Sequence, residues 1–192
     1  MVTIRGNMKH MTIAAFAISL VLGVFSPALI PTLWHLRHGD HTEQEGKLIP
    51  VPQGWYASAE LFRAVELIKP SLTVFSHAGS ARAYLGALTG PPPDSEEEFF
   101  KRFENNYRKS RANMQLRGPF KMGNSGSEAV CMQSLPAQLP GSAFVSCLLF
   151  GGTWTAEFMG DQSQVDNFFQ VVRGASSAHL SVLTTPSGVH GG

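Results

Sequence analysis

The chain has 192 residues, of which 43% are hydrophobic and 15% charged, with 15 Lys+Arg against 14 Asp+Glu for a formal net charge of +1. That length holds one domain and an appended segment, because two domains would each be left with a thin core. The basic residues are scattered and form no stripe, which argues against a polyanionic partner and against nucleic acid in particular.

The apolar residues are unevenly placed. Met11 to Trp34 (MTIAAFAISLVLGVFSPALIPTLW) carries no charge, and the first acidic residue of the chain is Asp40. A helix needs ~20 apolar residues to cross ~30 Å of hydrocarbon, so this run predicts a transmembrane helix. Pro27 and Pro31 predict a kink or break in its last third, and Trp34 stands where an interfacial aromatic belongs. Arg5 and Lys9 precede the run and Arg37 follows it. By the positive-inside rule this excess puts a short N-terminus in the cytoplasm and the rest of the chain outside. The competing reading is a cleaved signal peptide, with Ser26-Pro27-Ala28 as the cleavage site. The apolar run continues past that site through Leu29, Ile30, Leu33 and Trp34, which favours an uncleaved anchor. Ala15, Ser19 and Gly23 are four apart and share one helix face, a small-residue pattern through which a second membrane helix can approach closely. Small residues also occur in such helices without any partner.

Residues 35–46 read as a polar stalk. His35, His38 and His41 are three apart and would share a side on a continued helix, as a metal or pigment ligand set requires. Gly39 interrupts that helix, and a solvated juxtamembrane stalk accounts for the histidines better. Residues 47–174 read as the folded domain. Lys47 to Tyr56 is extended, with Pro50 and Pro52 limiting it to edge or irregular pairing. Ala57 to Ile68 is ambiguous: Leu61, Val65 and Ile68 fit a helical stripe behind Ser58, and a strand also fits. Leu72 to Ser76 predicts a strand, and Ser80 to Leu88 a short helix closed by Gly90.

After Pro91-Pro92-Pro93, Ser95 and Glu98 form a capping box, and Glu96, Glu97 and Glu98 fill the first turn. Phe99, Phe103 and Tyr107 give this helix, from about 95 to 113, its apolar face. Beyond Gly118-Pro119, three successive strands are predicted at Ser127 to Leu135, Ala143 to Phe150 and Thr153 to Met159. Asp161 then caps a final helix with Val165, Phe168, Phe169 and Val172 on one side and Gly174 at its end. Residues 175–192 read as a flexible tail. The order of elements predicts an α+β domain of antiparallel sheet with packed helices.

The two cysteines, Cys131 and Cys147, fall opposite each other if the hairpin is symmetric about Leu139, close enough for a disulfide. Two buried free thiols are the alternative. No CxxC, CxxCH or zinc spacing, HExxH, Walker or GxGxxG pattern occurs. Ser125 lies in a glycine-rich turn that lacks the last glycine of GxSxG and precedes a strand where a nucleophile elbow precedes a helix. No catalytic residue, cofactor or metal ligand is therefore assigned.

The domain resembles the PsbP-like α/β sandwich of extrinsic photosystem proteins and their bacterial relatives. The resemblance is carried by "IPVPQGW" at Ile49 to Trp55, the acidic-start helix, and "GGTWTAEFMG" leading into a helix with "FFQVV". It implies a non-enzymatic domain that docks on a larger membrane complex. The expected function is accordingly an accessory or structural subunit of an envelope membrane complex, and the resemblance implies a photosynthetic or other energy-transducing one. The expected location is the inner membrane, with a single span and a periplasmic domain. The expected partners are the membrane and other membrane-protein subunits, met through the helix and the domain. A ligand-binding or sensing domain, with Trp55, Tyr56 and Trp154 at a pocket, is the main alternative. A hydrolase using Ser125 is the third.

Overall fold

An uncharged run of this length has no way to satisfy its backbone in an apolar setting except as a helix. In a computed structural model it forms α1, Arg5–His38. The structure describes residues 5–58, 64–110, 114–123 and 128–183, with side chains over 12–58, 64–105, 114–123 and 128–175. Among them α1 is the one helix long and apolar enough to cross a membrane. Of the kink or break expected at its prolines, the break is absent: Pro27 and Pro31 both lie inside one continuous helix. Pro27 has no N–H to offer the Gly23 carbonyl, and the Ser26 hydroxyl donates to that oxygen instead, at 3.0 Å.

Gly39, at φ 77°, ends α1, and its N–H donates to the His35 carbonyl at 2.9 Å. The chain then turns at once into a hairpin of β1, His41–Gln44, and β2, Lys47–Pro50. Glu45 and Gly46 both have positive φ, 47° and 73°, as a two-residue type I′ turn requires. Residues 35–46 are thus a helix end and a paired strand where a polar stalk was expected. Gln44 is 3% exposed and Ile49 1%, so the hairpin belongs to the folded domain.

The main sheet is antiparallel and seven-stranded. Its strands are β3 Tyr56–Ala57, β4 Ala64–Lys69, β5 Ala81–Ala87, β6 Met114–Met122, β7 Ala129–Pro136, β8 Ser142–Leu149 and β9 Trp154–Asp161. They lie in the order β3-β4-β5-β9-β8-β7-β6. The three strands expected from Ser127 to Met159 are β7, β8 and β9. The helix expected over Ser80 to Leu88 is the strand β5, because Ala81, Ala83 and Leu85 alternate into the core with Arg82 and Tyr84 facing out. The strand expected over Leu72 to Ser76 is a loop. Ambiguity over 57–68 resolves as β3 and β4, with 59–63 outside the described residues.

Two helices cover the sheet unequally. α2, Glu96–Ser110, opens on the expected box: the Glu98 N–H donates to Ser95 Oγ at 3.1 Å. The Glu98 carboxylate reaches one residue further back than in the standard box and accepts from the Asp94 N–H at 2.7 Å. The backbone bond to Asp94 and the bond to Arg102 hold its carboxyl below the usual range. Phe99 and Phe103 bury against Met132 and Leu148, so α2 covers the outer face at β7 and β8. α3, Val165–Leu183, lies on the inner face, where Val165, Phe168, Val171, Val172 and Ala175 join Ile49, Val51 and Trp55 in the main core. Gly174 does not end this helix. A Cβ there would stand 2.6 Å from Pro50 Cγ, so the glycine is what lets the hairpin close onto α3. The expected tail at 175–192 begins inside α3, and 184–192 lie outside the described residues.

Candidate functional site: the helix–domain joint and the open sheet face

Cys131 and Cys147 are direct partners in the β7–β8 register, and a disulfide joins them, fully buried under α3. It closes the centre of the sheet on its core side and has no opening to solvent. Trp55 is fully buried and Trp154 is 5% exposed, so both are core residues. The Lys47 ammonium lies over the Phe150 and Trp154 rings, 4.8 and 5.1 Å from their centroids. Gln44 Oε1 and Trp55 Nε1 are buried with no hydrogen-bond partner among the described residues.

Polar chemistry gathers in two places. The first is the joint between α1 and the domain. Along residues 12–38 of α1, the part-buried or buried positions are Val24, Pro27, Ala28, Pro31, Trp34 and His35, a stripe at helical spacing. Pro31 is fully buried and Trp34 packs against the core. The His35 side chain, 9% exposed, places Nδ1 3.0 Å from both the Gly39 carbonyl and Asp40 Oδ1. Its Nε2 faces the Pro52 carbonyl at 3.2 Å. Gln53 donates to the same Asp40 oxygen at 2.9 Å, and the Val51 N–H donates to the Asp40 carbonyl at 2.8 Å. His38 stacks on Trp34 with centroids 4.9 Å apart and bonds the Trp34 carbonyl. His35 and His38 are therefore engaged with protein acceptors, and no group of three or more metal-ligating side chains occurs among the described residues.

The second place is the outer sheet face that α2 leaves open. Glu66, 6% exposed, accepts from Tyr84 Oη at 2.8 Å and from Arg82 Nη1 at 3.3 Å. Beside it is a cleft of about 500 Å³ between the loop 70–80 and the sheet, with Lys69, His77, Arg82, Phe144 and Met159 on its walls. The loop is fastened at its far end by Asp161. One carboxylate oxygen accepts from the Gly79 N–H at 2.7 Å, the other from the Ser163 N–H at 2.9 Å. These bonds, Gly79 first, hold the Asp161 carboxyl below its ordinary value.

The small-residue set is uncovered by the domain. Ala15, Ser19 and Gly23 are exposed, and a Cβ at Gly23 would meet nothing within 4 Å. At 100° per residue their centre lies roughly 120° around α1 from the domain-facing stripe. Ser125 lies outside the described residues. Sequence reasoning missed the His35 joint, whose partners come from backbone carbonyls that no spacing reveals. It also missed the Glu66–Arg82–Tyr84 cluster, which depends on β4 pairing with β5. No protein-family model and no curated protein matches the chain.

Proposed function

We propose that this chain is a non-enzymatic, membrane-anchored accessory subunit of an envelope membrane complex, with α1 as its single span and the sheet domain on the extracytoplasmic side. The observation that carries the proposal is the joint. His35, Asp40, Pro52 and Gln53 lock the end of α1 to the domain with no free linker, whereas a mere tether needs no fixed angle. A fixed angle matters to a protein that must meet one partner through its helix and its domain together. The small-residue face of α1, turned away from its own domain, leaves room for a neighbouring helix, and in lipid such close packing supplies the association. The resemblance to PsbP-like extrinsic proteins points the same way, toward an energy-transducing assembly.

The test is co-purification from native membranes in mild detergent. Gly23→Leu is expected to reduce recovery of the partner subunits while the protein still inserts, since leucine favours insertion. Undiminished recovery, or a chain that purifies alone from the outset, removes the proposal. The cleft at Arg82 and His77 favours ligand binding as the second reading. A small molecule that raises the melting temperature of wild type and not of Arg82→Ala would support it.

A further inference from the structure

We infer that the loop Pro70–Gly79 dips into the outer leaflet of the bilayer beside α1, as a second contact with phospholipid; this rests on α1 being a membrane span. Leu72, Val74 and Phe75 are 69%, 54% and 84% exposed, an apolar cluster on a segment that contains no charged residue. Exposed leucines and phenylalanines are ordinary when scattered, but three within four residues form a patch.

What covers that patch follows from where the loop sits. The Val74 N–H donates to the Val24 carbonyl of α1 at 3.4 Å, so the loop lies against the helix at the level of Val24. If hydrocarbon begins at Met11, ~20 residues carry it to about Ile30, and Val24 then lies about 9 Å inside the outer boundary. Interfacial apolar elements bury to about 5–10 Å. The loop cannot be beside Val24 and remain in bulk water while α1 spans the membrane.

The loop backbone is prepared for such a setting, in which an unpaired polar group is costly. Ser71 Oγ donates to the Thr73 carbonyl at 2.7 Å, the Ala78 N–H donates to Ser76 Oγ at 3.2 Å, and Ser80 Oγ donates to the His77 carbonyl at 2.6 Å. With the Gly79 N–H held by Asp161, these bonds keep the apolar side chains turned outward. Lys69 and Arg82 line the cleft behind the loop.

The experiment uses the full chain in vesicles of phosphatidylcholine and phosphatidylglycerol. An environment-sensitive fluorophore is attached in turn to Phe75→Cys, Leu72→Cys, Ile18→Cys and Lys101→Cys; the native cysteines are bonded to each other and buried. Lipids carry nitroxide near the headgroup or at mid-chain, and iodide serves as the aqueous quencher. The inference expects labels at 72 and 75 to be quenched by shallow nitroxide and shielded from iodide. The label at 18 should be quenched by deep nitroxide, and that at 101 by iodide. If 18 is lipid-quenched while 72 and 75 are quenched by iodide, the loop inference fails and the span stands. If 18 too is quenched only by iodide, the membrane span itself fails. Labels at 72 and 75 that are shielded in native membranes but open to iodide in vesicles would assign the patch to a protein partner and overturn the lipid contact.

Discussion

Asp161 shows how much one side chain can organise. It ends β9, caps the turn that starts α3 and holds the last residue of the loop 70–79, through two backbone N–H groups on different segments. Because those bonds favour the carboxylate, its folded-state pKa is lowered, and the unfolded chain takes up the proton first. Its contribution is therefore fully present above the ordinary aspartate value of about 4 and is lost as pH falls below that through the lower folded value. Asp161→Ala should cost about 0.5–2 kcal/mol at neutral pH, as loss of a helix cap does. Melting curves of wild type and variant should converge as acid is added. Curves that stay parallel down to the lowest pH would show that the carboxylate does not hold the loop.

At the scale of elements, the hairpin β1–β2 packs along α3 and comes up tightly against it where Gly174 lies under the Pro50 ring. On an isolated helix Gly→Ala would gain up to about 1 kcal/mol. Here the new methyl meets a rigid ring, and overpacking of this kind costs about 1–3 kcal/mol. Gly174→Ala is expected to lower the melting temperature, and a rise would mean that Pro50 yields freely. This contact also explains one limit of sequence reading. A glycine late in an amphipathic pattern looks like a terminator, and only the hairpin, distant in sequence, gives it another reason to be there. The α2 cap, the strands β7 to β9 and the Cys131–Cys147 register are local or nearly so, and their turns and alternation carried them. β5 has the local sequence of a helix because alanines suit one, and its central place between β4 and β9 is set by strands far along the chain. Leu72 to Ser76 had the composition of a strand, but its apolar side chains point away from the core.

At the scale of the whole molecule, the joint at His35 decides whether helix and domain move as one. Removing the imidazole takes a partner from the part-buried Pro52 carbonyl and leaves the exposed Asp40 to water and Gln53, at a cost of about 0.5–1.5 kcal/mol, that of an ordinary hydrogen bond. In His35→Ala, amide exchange at Val51 and Trp55 should rise on the order of tenfold, while the sheet core keeps its protection. Unchanged exchange at those amides would show that the joint is held by packing alone. The candidate site was the least legible part of this protein, since its residues, His35, Pro52, Glu66 and Asp161, come from segments that only the fold brings together. The cap at Gly39 has a mechanical corollary if α1 spans a bilayer. Helices answer a mismatch between their apolar length and the local hydrocarbon thickness by tilting, over a range of about 0–40°. With no slack between helix and hairpin, the domain must swing with that tilt, moving by about 5 Å for each 10° at a point about 30 Å from the pivot. Bilayer thickness would then set the altitude and lean of the sheet over the membrane, as a lever converts rotation at its fulcrum into travel at its tip.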